Sequence, residues 1–142
     1  MGVYMRLFFI VPGTPRGKQR HRSALVGSHI KSYTPKQTRE YEAYVGWCYK
    51  SAFPDLQPTG NPVKLRITIY HAIPKSWKEA DRQEALAGIK AAMVKPDGSN
   101  VLKAIEDGLN GIAYQDDRQI VSTCAEKLYG VEPRVEVELW RA

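Results

Sequence analysis

The chain reads as an α+β protein built on a single mixed β-sheet of about four strands, with helices packed mainly on one face. Three observations predict this. Val63-Lys64-Leu65-Arg66-Ile67-Thr68-Ile69 and Val135-Glu136-Val137-Glu138-Leu139 alternate strictly between apolar and polar residues, the pattern of strands that bury one face and wet the other. Val101, Leu102, Ile105 and Leu109 recur instead at the spacing of a helical apolar stripe. The order of strands and helices also lacks the regular alternation of a βαβ protein.

Taken in order, residues 4–11 form the first predicted strand. Residues 13–36 follow as a flexible basic loop, rich in Gly, Ser, Pro and Thr and without apolar periodicity. A helix is expected over 38–52 and a strand over 63–73. Ser76-Trp77-Lys78-Glu79 resembles a capping box, with Leu86 and Ile89 as an apolar stripe behind it, so a second helix is expected over 77–92.

Pro96 restrains Lys95 to an extended conformation, Gly98 permits a tight turn, and Ser99 or Asn100 serves as N-cap of a helix over 100–109. Asn110-Gly111 reads as its stop. From Gln119, residues rich in strand formers alternate to 129, and a last strand covers 134–140.

The length of 142 residues suits one domain spanning 1–142. The two cysteines, Cys48 and Cys124, form no CxxC and join no His/Cys cluster, which argues against zinc and a disulfide framework and for a reducing cytoplasm. No apolar run approaches the ~20 residues of a membrane span, and the start MGVYMRLFFIVPG lacks the pattern of a signal peptide.

The net charge of +6 is unevenly spread. Residues 1–39 hold eight Lys and Arg and no Asp or Glu, whereas the remainder holds thirteen basic against fifteen acidic residues. Arg16, Lys18, Arg20, Arg22, Lys31, Lys36 and Arg39 carry this excess. A solvated loop would also be basic, but an asymmetry this complete favours a polyanion, with these side chains reading a phosphate backbone. Roughly six such contacts make affinity fall about a thousandfold between low and moderate salt.

The chemistry concentrates in KPDGSNVLKAIEDGLNGIAYQDDRQIV, residues 95–121, where Asp97, Asp116 and Asp117 surround one short helix that carries Lys103. If the following strand packs beside that helix, the carboxylates converge and would raise one another's pKa unless a cation sits among them. Magnesium, with manganese as substitute, suits an all-oxygen site and a phosphate substrate. Lys103 would supply fixed positive charge to a phosphoryl transition state. Asp-Gly and Asp-Asp are also ordinary turn residues, so spacing alone leaves both readings open.

With these residues in view, the chain resembles the RusA family of Holliday junction resolvases, small endonucleases of the phage and prophage type. The family pattern is Pro-Asp-x-Asp-Asn, a lysine on the same helix, Asp-Ala-Leu, then Asp-Asp-x-Gln. Asp97, Asn100, Lys103, Asp107, Leu109, Asp116, Asp117 and Gln119 match it. IVPGTPRGKQRHR and YTPKQTREYEAYV are also similar to family members.

The resemblance implies a homodimer that binds four-way DNA junctions and makes paired magnesium-dependent incisions, with no organic cofactor. Asp97 and Asp117 would be metal ligands and Lys103 the transition-state stabiliser, with Asp116, Asn100 and Ser99 as further candidates for the metal. One departure matters, because Ser99 stands where the family has its second aspartate. Either neighbouring oxygens complete the site, or the chain binds junctions without cutting them.

Overall fold

The computed structural model describes residues 3–20 and 22–142; Met1, Gly2 and, within the predicted basic loop, His21 lie outside the described residues. The elements are β1 (Met5–Pro12), β2 (Arg22–Val26), β3 (His29–Tyr33), α1 (Lys36–Ala52), β4 (Val63–Ala72), α2 (Glu79–Leu86), α3 (Gly98–Leu109), β5 (Ile120–Gly130) and β6 (Arg134–Arg141). The main sheet is mixed, in the order β1-β6-β4-β5. β6 runs antiparallel to both β1 and β4, while β5 lies parallel to β4 at the edge. The predicted α+β class and four-stranded mixed sheet are both present.

Alternation decides which side of the sheet is covered. Register aligns Leu7 with Leu139 and Leu139 with Leu65, then Phe9 with Val137 and Val137 with Ile67, so one face of β1, β6 and β4 is continuously apolar and buried. Tyr41, Val45, Cys48 and Tyr49 of α1 and Val101, Ala104, Ile105 and Leu109 of α3 close over it. Fully burying a side chain of this size contributes about 1.5–3 kcal/mol, which makes this layer the principal source of stability.

The two helices meet at glycine. A Cβ added at Gly108 would stand 2.8 Å from the Glu42 carbonyl oxygen and 2.8 Å from Val45 Cβ. The absence of a side chain lets α3 lie against α1, and that contact fixes the height of α3 on the sheet.

Three expectations need correction. The predicted flexible loop over 13–36 contains a regular antiparallel hairpin, β2 paired with β3 around Gly27-Ser28. Gly27 at φ +62° supplies the left-handed residue that a two-residue turn requires. The motif helix starts at Gly98 with Asp97 in the N-cap position, not Ser99 or Asn100, because helical hydrogen bonds already run from Asn100 and Val101 back to the Asp97 carbonyl. The second helix spans only Glu79–Leu86 and no capping box forms at Ser76. Trp77 instead packs edge-on against Tyr129 at 5.3 Å, and Gly88 at φ +79° ends the helical path early.

Among the described residues no helix is long and apolar enough to cross a membrane. Cys48 is buried and Cys124 exposed, and neither is in a disulfide.

Candidate active site

The site is assembled from residues 15–19, α1, α3 and the turn that precedes β5. α3 provides its floor. Asp97 holds extended backbone at the helix entrance and is exposed, as are Ser99, Asn100 and Lys103. The first turn of α3 is crossed by residues 15–19. The Lys18 amide donates to the Asn100 carbonyl at 3.0 Å, and a Cβ on Gly17 would come within 2.9 Å of Pro96 Cβ. Between the crossing segment and the helix lies a cleft of about 400 Å³, whose lining includes Arg16, Gly17, Gln19, Lys95, Asp97 and Asn100.

Asp117 comes from the other side. It opens a short 3-10 turn, Asp117–Gln119, immediately ahead of β5. Gln119 anchors that turn, donating to the Thr59 carbonyl at 2.7 Å and the Asn61 carbonyl at 2.9 Å while accepting from the Asp116 amide at 2.8 Å. Asp116 in turn accepts from the Gln119 amide in a reciprocal capping box and lies 3.3 Å from the exposed Arg118. Gln119 was read from sequence as a motif position and a strand start; its pinning role depends on a loop some sixty residues away and leaves no local signal.

A line of alternating charge then runs through the site. Glu42 of α1 lies 3.0 Å from Lys18 Nζ, which also pairs with Asp107 Oδ2. The other Asp107 oxygen lies 3.3 Å from Lys103 Nζ, and Lys103 lies 3.5 Å from Asp117 Oδ2. For both lysines burial acts to lower the pKa, and it is outweighed. Hydrogen bonds to Asp107 and Glu42 raise Lys18 above its ordinary value, while the charge and hydrogen bond of Asp107, then Glu106 and Asp117, raise Lys103. Both amines stay protonated at neutral pH. Glu106 is half-buried beside them, and burial pushes its carboxyl up against the opposing pull of Lys103.

This arrangement differs from the convergence expected of Asp97, Asp116 and Asp117. Among the described residues no group of three or more Asp, Glu, His or Cys side chains is spaced to hold a metal ion. Lys103 meets Asp117, and Asp97, at the entrance of the same helix, lines the cleft. The carboxylate that joins Lys103 is Asp107, i+4 on the same face.

The basic residues also divide. Arg16 lines the cleft. Lys18 lines it too, but its amine is committed to Glu42 and Asp107, so its charge acts inside the protein. Arg20 is exposed on the approach to the hairpin, and Arg22 and Lys31 are exposed on the hairpin itself. Lys36 pairs loosely with Glu40 at 3.7 Å, and Arg39 is exposed in the first turns of α1.

Comparison with known proteins covers nearly the whole chain. The family described as Endodeoxyribonuclease RusA matches residues 12–140. "Uncharacterized protein YqaN" of Bacillus subtilis (strain 168) is 31% identical over 131 residues, covering 91% of this chain and 92% of that protein.

Proposed function

The chain belongs to the RusA family of endodeoxyribonucleases, and from that premise we propose that it resolves four-way DNA junctions by metal-dependent phosphodiester hydrolysis, through paired symmetric nicks. The observation that carries this reading is Lys103, held protonated between Asp107 and Asp117 on the helix whose entrance, at Asp97, lines the cleft. A phosphodiester bound along that helix would meet in Lys103 a fixed cation where negative charge grows during hydrolysis. Arg16 and Lys95 line the same cleft and would hold the flanking phosphates without reading bases.

The candidate ligands Asp97, Asp116, Asp117, Asn100 and Ser99 offer oxygens, which suits magnesium or manganese held by one or two carboxylates with water and substrate phosphate completing the shell. Asp97 and Asp117 would hold the ion, with Asp116, Asn100 and Ser99 as further oxygen donors. When bound, it would lower the pKa of an attacking water and neutralise charge on the phosphate. Two symmetric incisions require two such sites, which a homodimer supplies.

A second reading rests on Ser99, a neutral hydroxyl where the family pattern places an aspartate. With one negative charge fewer, the chain would be a non-catalytic binder of junction or duplex DNA. Incubating the protein with a labelled four-way junction in magnesium, in EDTA, and with an Asp117→Asn variant separates the two. Symmetric nicks in magnesium alone support the resolvase. A retarded but intact junction supports the binder, and no binding removes both.

A further inference from the structure

The β2–β3 hairpin is a ribbon with two unlike faces. Register pairs Arg22 with Tyr33, Ala24 with Lys31 and Val26 with His29, and between them Ser23 with Ser32 and Leu25 with Ile30. Directly opposed residues share a face and alternate pairs point oppositely. One face therefore carries Arg22, Lys31, His29 and Tyr33 together with Ala24 and the exposed Val26, and the other presents Leu25 beside Ile30, flanked only by serines. Every residue of both strands is exposed, Leu25 at 75% and Ile30 at 77%.

An isolated two-stranded hairpin is marginally stable in water, so a ribbon this exposed is suited to a partner. Charge selects its class, since residues 1–39 contain no acidic side chain. A two-stranded ribbon also fits the major groove of a duplex. A second copy of the chain fits poorly, because a stable interface buries about 800 Å² per partner, far more than one aliphatic pair offers, and the opposite face would repel another cationic arm.

The base of the ribbon adjoins the cleft. The Gln19 amide donates to Thr38 Oγ1 at 3.1 Å, tying the lead-in segment to α1 where it passes Asp97.

We propose that this ribbon is a branch-sensing arm. Its cationic face lies along DNA phosphates, while Leu25 and Ile30 rest on base-pair faces that become unstacked where duplex arms diverge. An intact duplex satisfies the first contact but keeps its base faces stacked, so the apolar pair discriminates branched from linear DNA. This inference rests on the nuclease reading above and adds the feature of the substrate that the arm recognises.

The test is binding in EDTA, by fluorescence anisotropy, to a four-way junction and to a linear duplex of the same sequence. Leu25→Ser/Ile30→Ser should lose at least tenfold in junction affinity with duplex affinity unchanged. Arg22→Ala/Lys31→Ala should weaken both and make the log-log salt dependence shallower by about 2. Leu25→Phe/Ile30→Phe, which keeps an apolar stacking surface, should retain the junction preference. An unchanged preference in the serine variant overturns the proposal. So does a fall in oligomeric mass for that variant, which would make the apolar face a contact between copies. If the unaltered protein binds neither DNA, the nuclease reading itself falls, which is a separate result.

Discussion

Lys103 Nζ lies 3.5 Å from Asp117 Oδ2, across the gap between α3 and the turn that leads into β5. The pair joins the helix bearing Asp97 to the turn before the edge strand, and it holds a protonated amine on the helix whose entrance lines the cleft. Lys103→Met should lower single-turnover nicking of a junction by about 100-fold or more, the scale of losing one fixed electrostatic donor. Junction affinity in EDTA should change little. A loss of binding in proportion to cleavage would mean that Lys103 grips the substrate without stabilising the transition state.

Lys18 is a strut in this network. Its side chain is largely buried with Glu42 and Asp107, so Lys18→Met leaves Glu42 without its cation and Asp107 with Lys103 alone. The expected cost is about 1–3 kcal/mol, read as a lower Tm. The pH dependence follows from the raised Lys18 pKa. A group whose folded pKa exceeds its unfolded value contributes stability that is fully present below the unfolded pKa, here ordinarily 10.5, and is lost as pH rises through the folded value. The difference in Tm between the unaltered protein and Lys18→Met should therefore be steady through neutral pH and shrink above about pH 10.5.

Sequence and structure agree where periodicity has a physical cause. Residues 63–69 alternate because β4 buries one face on α1 and α3, and the stripe of α3 reflects the same core. The hairpin was illegible because Arg22–Val26 and His29–Tyr33 bury nothing, so no apolar period marks them. At the site, sequence groups Lys103 with Asp97, Asp116 and Asp117 around one helix, and the structure brings Lys103 to Asp117. The Lys18-Asp107 contact could not, because it spans 89 residues and arises from the crossing of residues 15–19 over α3. Charge counting assigned Lys18 to the solvent-facing set, since composition carries no information about which cations meet internal carboxylates.

Gly108 controls the seating of α3. Gly108→Ala would force a Cβ into backbone and Val45 at 2.8 Å, an overpacking that costs about 1–3 kcal/mol. Alanine is the better helix former by up to about 1 kcal/mol, which offsets part of this. A net fall in Tm is expected, together with weaker nicking, because Lys103 and Asp97 move with the helix. A Tm at or above that of the unaltered protein would show that α1 and α3 can separate freely and that their contact does not set the site.

Ser99 offers a gain-of-function test. It sits in the first turn of α3, two residues from Asp97, and Ser99→Asp restores the charge that the family pattern carries there. If Ser99 faces the ion, the substitution should tighten magnesium binding measured by titration calorimetry and lower the magnesium concentration needed for half-maximal nicking. A carboxylate near a helix N-terminus also stabilises the helix by about 0.3–1 kcal/mol through its dipole, so Tm must be compared in EDTA and in magnesium. A gain in Tm that is equal in both, with unchanged magnesium affinity, would place Ser99 outside the coordination shell. A gain confined to magnesium would make the missing aspartate the feature that limits this site.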